Sequence, residues 1–371
     1  MHISDLVKNP ALIFPCSRED FSGDFLKYLE MRNNQYFSLL KTINLTDDLS
    51  RSISNKLPEC QQLIKVISSC VSEYYKGRIT ASYILLSTEL QKLHLHLKAL
   101  YSIPLKDVST SRFFRIRIDN KDITERKDLF HIPAEHRQKV NTQRFSVPGL
   151  PCLYFGSSSY IAWSEMGRPD FSTVNISRFE AASSIRVLNF GYNSIVIQDF
   201  LNAALASKSN THRKKLIDFI TSWFIFWPLM NACSIKRKSP DSPFAPEYII
   251  PQFLLQFVAE DKKEKIDGIR YISTKYDKYD DKINFSACWA FPAKDLKRTG
   301  HCRRLIKLFH VTEVLPWRIA FSSNLPHDPI NSDKVGGKCC FINGVPVDYC
   351  TTNFGLIEGM LDLMPASKLT R

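Results

Sequence analysis

The sequence predicts an α+β protein whose N-terminal region is entirely helical. Apolar residues recur at helical spacing up to about residue 100, and past Pro104 the texture changes to short β-rich runs alternating irregularly with helical stretches. The chain has 371 residues, 44% of them hydrophobic, which is enough for a sizeable core and for two domains on a prior of ~150 residues each. Aromatic residues make up 12% and only 13 residues are glycine, which excludes a disordered or low-complexity chain, and no repeat recurs at solenoid spacing.

A first helix covers residues 25–40. In the second, Leu63, Val66, Ile67, Cys70, Val71 and Tyr74 line one face and Gly77 offers a stop. Leu86, Leu90, Leu93, Leu97 and Leu100 form a third seam closed by Pro104, and the short connection makes the two seams antiparallel neighbours. His94 and His96 are two apart and point to different faces, a poor geometry for a shared metal, so they read as surface or capping residues. Residues 1–105 are therefore expected as a helical domain, 106–325 as the mixed domain, and 326–371 as a tail packing back on it.

Strands are expected at 113–119, where FFRIRID alternates arginine with apolar residues, and at 150–155, 185–190, 268–272 and 285–291. Helices are expected at 159–166, 198–206, 216–227 and 251–259. The stretch LIDFITSWFIFWPLMNA is apolar enough to invite a membrane reading, but Asp218 and Pro228 interrupt it short of ~20 residues. It reads as a buried helix that Pro228 ends or kinks. In the tail, Pro326, Pro329 and Gly336-Gly337 signal loops before a short helix at 354–363.

The net charge of +13 sets the sign of the surface field without naming a partner, and the charges are scattered. The densest group, Lys236-Arg237-Lys238, reads as a solvated turn, and nothing resembles an arginine-rich nucleic-acid arm. The 10 cysteines show no CxxC or other metal-ligand spacing and read as buried thiols. With no basic-then-apolar leader at the start, a reducing cytoplasm fits.

Four common chemistries lose support: there is no GxxxxGK[ST], no GxGxxG after a strand, no HExxH and no GxSxG. The best candidate is PCLYFGSSSYIAWSEMGRP, from Pro151 to Pro169. Tyr154 ends a strand, the serines supply a helix N-cap, and Glu165 lies four residues after Ile161 on one helical face. A carboxylate beside Ile161 and near Trp163 can be partly desolvated and kept for a substrate. Spacing alone favours a Glu165 that simply faces solvent. Arg115 on the FFRIR strand and Arg144 in QRFSVPG could grip phosphate oxygens in a bidentate manner, although either alone is more often an ion-pair residue.

Taken in order, FFRIR, QRFS, PGLPCLYFG, a glutamate eleven residues after the tyrosine, and IDGIRYIS resemble the RES-domain family, over residues 112–292. The resemblance implies an ADP-ribosyltransferase-like fold with NAD bound in a cleft between two small twisted sheets. It also implies a toxin of a toxin-antitoxin or defence system that cleaves the nicotinamide-ribose bond as an NAD glycohydrolase or phosphorylase. Carried over, Arg115 and Arg144 would hold the diphosphate or ribose, Tyr154 would stack by the nicotinamide, Glu165 would engage its ribose, and Ser273 would complete the site. His131 would line the cleft.

In this reading NAD is a substrate, no metal or true cofactor is needed, and the implied partners are phosphate, an antitoxin protein and a second copy of the chain, with no membrane or nucleic acid. The alternatives are a protein ADP-ribosyltransferase and a catalytically silent NAD-binding interaction module. Three departures stand out. Compact RES toxins carry a GRWN-like segment where this chain has Gln143-Arg144-Phe145-Ser146; the stretch from Phe190 to Gly268 is a long insertion; and the N-terminal helices resemble the HEPN-like regions of long RES proteins. The nuclease-like RxxxxH from Arg126 to His131 falls outside the helical seams and reads as chance or as support for the site.

Overall fold

The computed structural model describes residues 1–101, 112–182, 184–239, 241–262, 265–275, 287–295, 297–322, 339–342 and 345–369. The protein is α+β with a helical N-terminal region. Helices α1 (Ile3–Val7), α2 (Phe25–Lys41), α3 (Asp48–Asn55), α4 (Leu57–Tyr75), α5 (Ile79–Lys92) and α6 (His94–Ala99) precede β1 (Arg112–Ile118). There follow β2 (Cys152–Gly156), α7 (Ser159–Glu165), β3 (Val174–Ala181), β4 (Val187–Asn189), α8 (Ser194–Ala206), α9 (Asn210–Ser234), α10 (Ile249–Glu260), β5 (Gly268–Ile272) and β6 (Ala287–Pro292). The remainder comprises α11 (Arg303–Leu308), β7 (Phe309–Val311), β8 (Leu315–Pro316), α12 (Trp317–Ser322), β9 (Cys339–Ile342), β10 (Val345–Asp348), α13 (Asn353–Leu363) and β11 (Ser367–Lys368).

Packing groups the chain into two compact units built from separated segments. The first joins Met1–Ser102, Thr142–Val147 and Val187–Thr274; the second joins Ile103–Asn141, Pro148–Arg186 and Lys275–Arg371. The boundaries expected at 105 and 325, the Pro104 stop and the loop signals Pro326, Pro329 and Gly336-Gly337 lie outside the described residues.

In the first unit, α4 buries Leu63, Val66, Ile67, Cys70 and Val71, and Gly77 follows in the left-handed region at φ 77°, where a side chain would be strained. All five leucines of the next seam are buried, although the helix breaks at Leu93 into α5 and α6. His94 is exposed, as expected, but His96 is not a plain surface residue. Its Nδ1 meets Ser222 Oγ at 3.0 Å and its Nε2 lies 3.1 Å from Glu59, tying α6 to α9 and α4. Burial holds its pKa below the ordinary histidine value.

Helix α9 packs against α3, α4, α6, α8 and α10. It is long and apolar enough to cross a membrane by composition, but 78% of its most apolar window is buried inside the protein, as for a core helix. Pro228 does not end it: the helix continues to Ser234, because burial of the residues around it, Trp223 to Cys233, outweighs one missing N–H bond. Tyr36 of α2 stacks on Trp227 with centroids 4.1 Å apart and donates its hydroxyl to the Phe224 carbonyl. Strands β4 and β5 pair in parallel.

The second unit is built on antiparallel pairing in the order β11-β7-β3-β1-β2-β6, with β8 also on β3. Strand β3, which no alternation announces, pairs with β1 over its full length from Arg112↔Glu180 to Ile118↔Val174. One face buries Phe113, Phe155, Phe179, Phe291 and Phe309 in mutual contact. The other packs Phe114, Ile116, Val174 and Ile176 against α7, α12 and α13.

Candidate functional site

Strand β1 treats its two neighbours differently. Its ladder with β3 is complete, but it meets β2 at one register pair, Phe114↔Gly156, while β2 goes on pairing with β6 from Gly156↔Cys288 back to Cys152↔Pro292. The sheet therefore forks beyond Gly156, where, among the described residues, β1 and β2 no longer pair with each other. Arg115 sits at this fork. Its Nη1 donates to the Tyr154 carbonyl at 2.9 Å, and its buried Nε has no partner among the described residues. Burial, reinforced by neighbouring Arg117, lowers its pKa to about 10, so it stays cationic at neutral pH.

Strand alternation puts the Tyr154 ring on the face of Gly156 and Phe114, which α7 covers. Its hydroxyl bonds the thiol of Cys152, whose pKa burial raises to about 12, so this cysteine is no thiolate nucleophile. Helix α7 starts where the serines predict: Ser158 Oγ accepts the Ile161 N–H at 3.1 Å. It lies so close to β2 that a Cβ at Gly156 would stand 2.6 Å from the Ala162 nitrogen. At its far end Glu165 is half-buried, its carbonyl accepts from Lys275 Nζ, and Gly167 and Arg168 turn away in the left-handed region. Tyr154 and Glu165 thus lie on the same side of the sheet in one unit, and Arg115 reaches Tyr154 through the fork.

Sequence reasoning missed what anchors α7. Glu358 of α13, 5% exposed, accepts through Oε1 from Ser159 N at 2.6 Å, Ser159 Oγ at 2.8 Å and Tyr349 Oη at 2.5 Å. A carboxylate against the first turn of a helix is favourable. Nothing in the local sequence signals a partner 199 positions away.

Arg144 and Ser273 lie in the first unit. Arg144 tops a tight turn in which Gln143 and Ser146 exchange backbone bonds of 3.0 and 3.2 Å, and Gln252 Nε2 donates to both carbonyls at 3.1 and 3.3 Å. Its Nη1 donates to Cys233 O at 3.2 Å and Ile235 O at 3.0 Å, its Nη2 to Thr274 Oγ1 at 2.9 Å, and the guanidinium lies over the Tyr248 ring at 5.1 Å. Fully buried Ser273 follows β5 and precedes Thr274, so these two predicted residues meet at one strand end.

His131 has both ring nitrogens engaged in its own unit. Nε2 accepts the Cys302 N–H at 2.8 Å, which fixes Nδ1 as the donor to the Ile132 carbonyl at 2.8 Å. Burial lowers its pKa to about 4, so it is neutral and braces a loop. Arg126 is occupied separately by Glu313 and Ser367. Among the described residues no three His, Cys, Asp or Glu side chains gather as metal ligands.

One curated protein aligns along most of the chain: "Putative toxin YopC" of Bacillus subtilis (strain 168), 30% identical over 340 residues, which cover 88% of this chain and 74% of that protein. No family model and no solved structure matches the chain.

Proposed function

The chain belongs to the family of the Bacillus subtilis toxin candidate YopC, and on that premise we propose that it is a toxin that consumes NAD by breaking the bond between nicotinamide and ribose. The observation that carries this reading is the forked sheet, with Arg115 in the fork and Tyr154 and α7 beside it. Such a fork is the kind of opening an ADP-ribosyltransferase-like RES cleft requires, and the motif order gives the rest of its support.

In this proposal Arg115 offers its spare donor to the diphosphate. Arg144, already bonded to three protein acceptors, braces the end of β5 next to Ser273 within the first unit. The Tyr154 ring gives the nicotinamide an aromatic face, and the Glu165 carboxylate stabilises the positive charge that develops on the ribose. The C1′–N bond breaks with its electron pair leaving on nicotinamide. An oxygen of water or phosphate bonds C1′, and any proton it carries passes to solvent. No step needs a metal, and the free NAD of a cytoplasm would be the pool consumed.

The test is incubation of the purified full chain with NAD, with and without phosphate, while nicotinamide release is followed. Release by the wild type and its loss in Glu165→Ala are expected, with a fall of at least about a hundredfold for a group acting on developing charge. Absence of release by the wild type sinks the reading. Labelling of a protein by ADP-ribose in place of free product would make the chain a transferase.

A further inference from the structure

The first unit contains a concentration of positive charge of which the catalytic reading uses only Arg144. On α2, Arg32 lays its guanidinium over Trp227 at 5.7 Å and reaches the Asn231 side-chain oxygen at 3.5 Å, which is long for such a bond, while its buried Nε has no partner among the described residues. The next residue, Asn33, is fully buried. It accepts from Asn231 Nδ2 at 3.3 Å, but its own Nδ2 likewise has no partner among the described residues. Cys16 Sγ also approaches the Asn231 oxygen, at 3.6 Å. Two segments, α2 and the stretch that carries Cys16, thus converge on the side chain of Asn231, which is 0% exposed on α9, and α2 brings two orphaned donors with it.

A second cation acts on the same place. Arg32 and Arg144 both pull the Cys16 thiol toward ionisation, yet burial outweighs them and holds its pKa above the ordinary thiol value. The thiol is therefore neutral. The described partners of Arg32 and Arg144 are neutral too: an amide, a hydroxyl, two carbonyls and two aromatic rings. Arg237 crowds the same Tyr248 ring as Arg144, at 5.7 Å, and its Nε is a further buried orphan. The nearby carboxylate, Glu247, is committed to Arg18 at 2.7 Å. Like charges held together in a half-buried region repel, and buried donors without acceptors carry a desolvation cost. One bound dianion relieves both.

We propose that Arg32, Asn33 and Asn231, in the field of Arg144, form a binding site for a phosphate group in the helical region of the chain. Arg32 and Asn33 supply the donors, and Arg144, which already makes three bonds to protein, supplies charge. The ligand is inorganic phosphate or the phosphate of a nucleotide; these share the chemistry that Arg32 would recognise. This site does not depend on the catalytic proposal. Its donors lie on α2 and its acceptor-bearing partner on α9, outside the motifs that motivate NAD cleavage; of those motifs it shares only the charge of Arg144.

The test uses the purified full chain and reads thermal melting and calorimetric binding with phosphate, with ADP and with chloride as the ionic-strength control, without any turnover. Phosphate should raise the melting temperature where chloride does not, and Arg32→Gln should weaken phosphate binding about tenfold or more, the loss expected for charge-assisted bonds. ADP displacing phosphate assigns the site to a nucleotide; phosphate binding that ADP does not displace assigns it to the free anion. Should Arg32→Gln fold poorly, Asn33→Asp decides. It places a carboxylate beside Arg32, so the unliganded protein should melt higher than the wild type and phosphate should no longer shift it. No phosphate-specific shift in the wild type, or an undiminished shift in Asn33→Asp, overturns the proposal. An inactive chain that still binds phosphate leaves this site standing and removes only the NAD reading.

Discussion

Two arginines singled out by the same sequence logic play different physical parts, and the contrast shows how to tell a strut from a grip. Arg144 sits on a turn clamped by Gln252 and spends its guanidinium on two carbonyls, a hydroxyl and a tyrosine ring. Among the described residues, Arg115 makes one bond, to the Tyr154 carbonyl, and keeps a buried nitrogen without a partner where β1 and β2 part. Residue type and spacing cannot separate the two. What separates them is the number of donors the protein itself consumes: a guanidinium with three bonds to protein stabilises the fold, and one with a single bond and a buried idle nitrogen carries a desolvation cost that a ligand can offset.

The largest effect expected from this contrast is on stability. Arg144→Ala leaves the carbonyls of Cys233 and Ile235 without their charged donor in a region that is almost fully buried. It should cost about 3–5 kcal/mol, read as a shift in the denaturant midpoint with an unchanged slope. A loss below about 1 kcal/mol would mean that the arginine is no strut.

Next comes His131, neutral because burial lowers its pKa to about 4. In the unfolded chain it takes up a proton near pH ~6.5, and the folded state resists until about 4. Its contribution is therefore fully present above pH ~6.5 and lost progressively as the pH falls through that window, amounting to up to about 3 kcal/mol. Unfolding curves at pH 7 and pH 4.5 should differ by less in His131→Gln than in the wild type. An equal difference in both proteins would place the acid sensitivity elsewhere.

These roles were legible to different degrees. The leucine seam from Leu86 to Leu100 was readable because each helical turn repeats an apolar residue, and all five are buried. Helix α7 was readable because Ser158 caps it locally. Strand β3 was not, since Asn175, Ser177 and Arg178 interrupt its apolar pattern although all three are buried. Their partners are distant: Asn175 accepts from Ile123, and Arg178 donates to the carbonyls of Leu361 and Met364. The charged run Lys236-Arg237-Lys238 misled in the opposite direction, reading as solvated whereas Arg237 packs on Tyr248 and Lys238 donates to the Phe21 carbonyl. Local periodicity reports which face of an element is apolar. It is silent on polar groups satisfied across the fold, and these include the Glu358 anchor of α7 and the acceptors around Arg144.

The smallest expected change in stability belongs to Arg115, and it gives the comparison its sharpest edge. Arg115→Lys retains the charge and one donor able to reach the Tyr154 carbonyl, but it removes the planar fork and the spare nitrogen. Stability should move by under about 1 kcal/mol, against the much larger loss in Arg144→Ala. Nicotinamide release at low NAD should nevertheless fall by about tenfold or more, mostly through KM, because a lysine cannot hold a diphosphate in a bidentate manner. Two results would break the distinction. If Arg115→Lys unfolds as readily as Arg144→Ala, Arg115 is a second strut and the fork is a structural seam. If stability and turnover both stay at wild-type values, the orphaned nitrogen at the fork grips nothing, and the diphosphate must be held elsewhere.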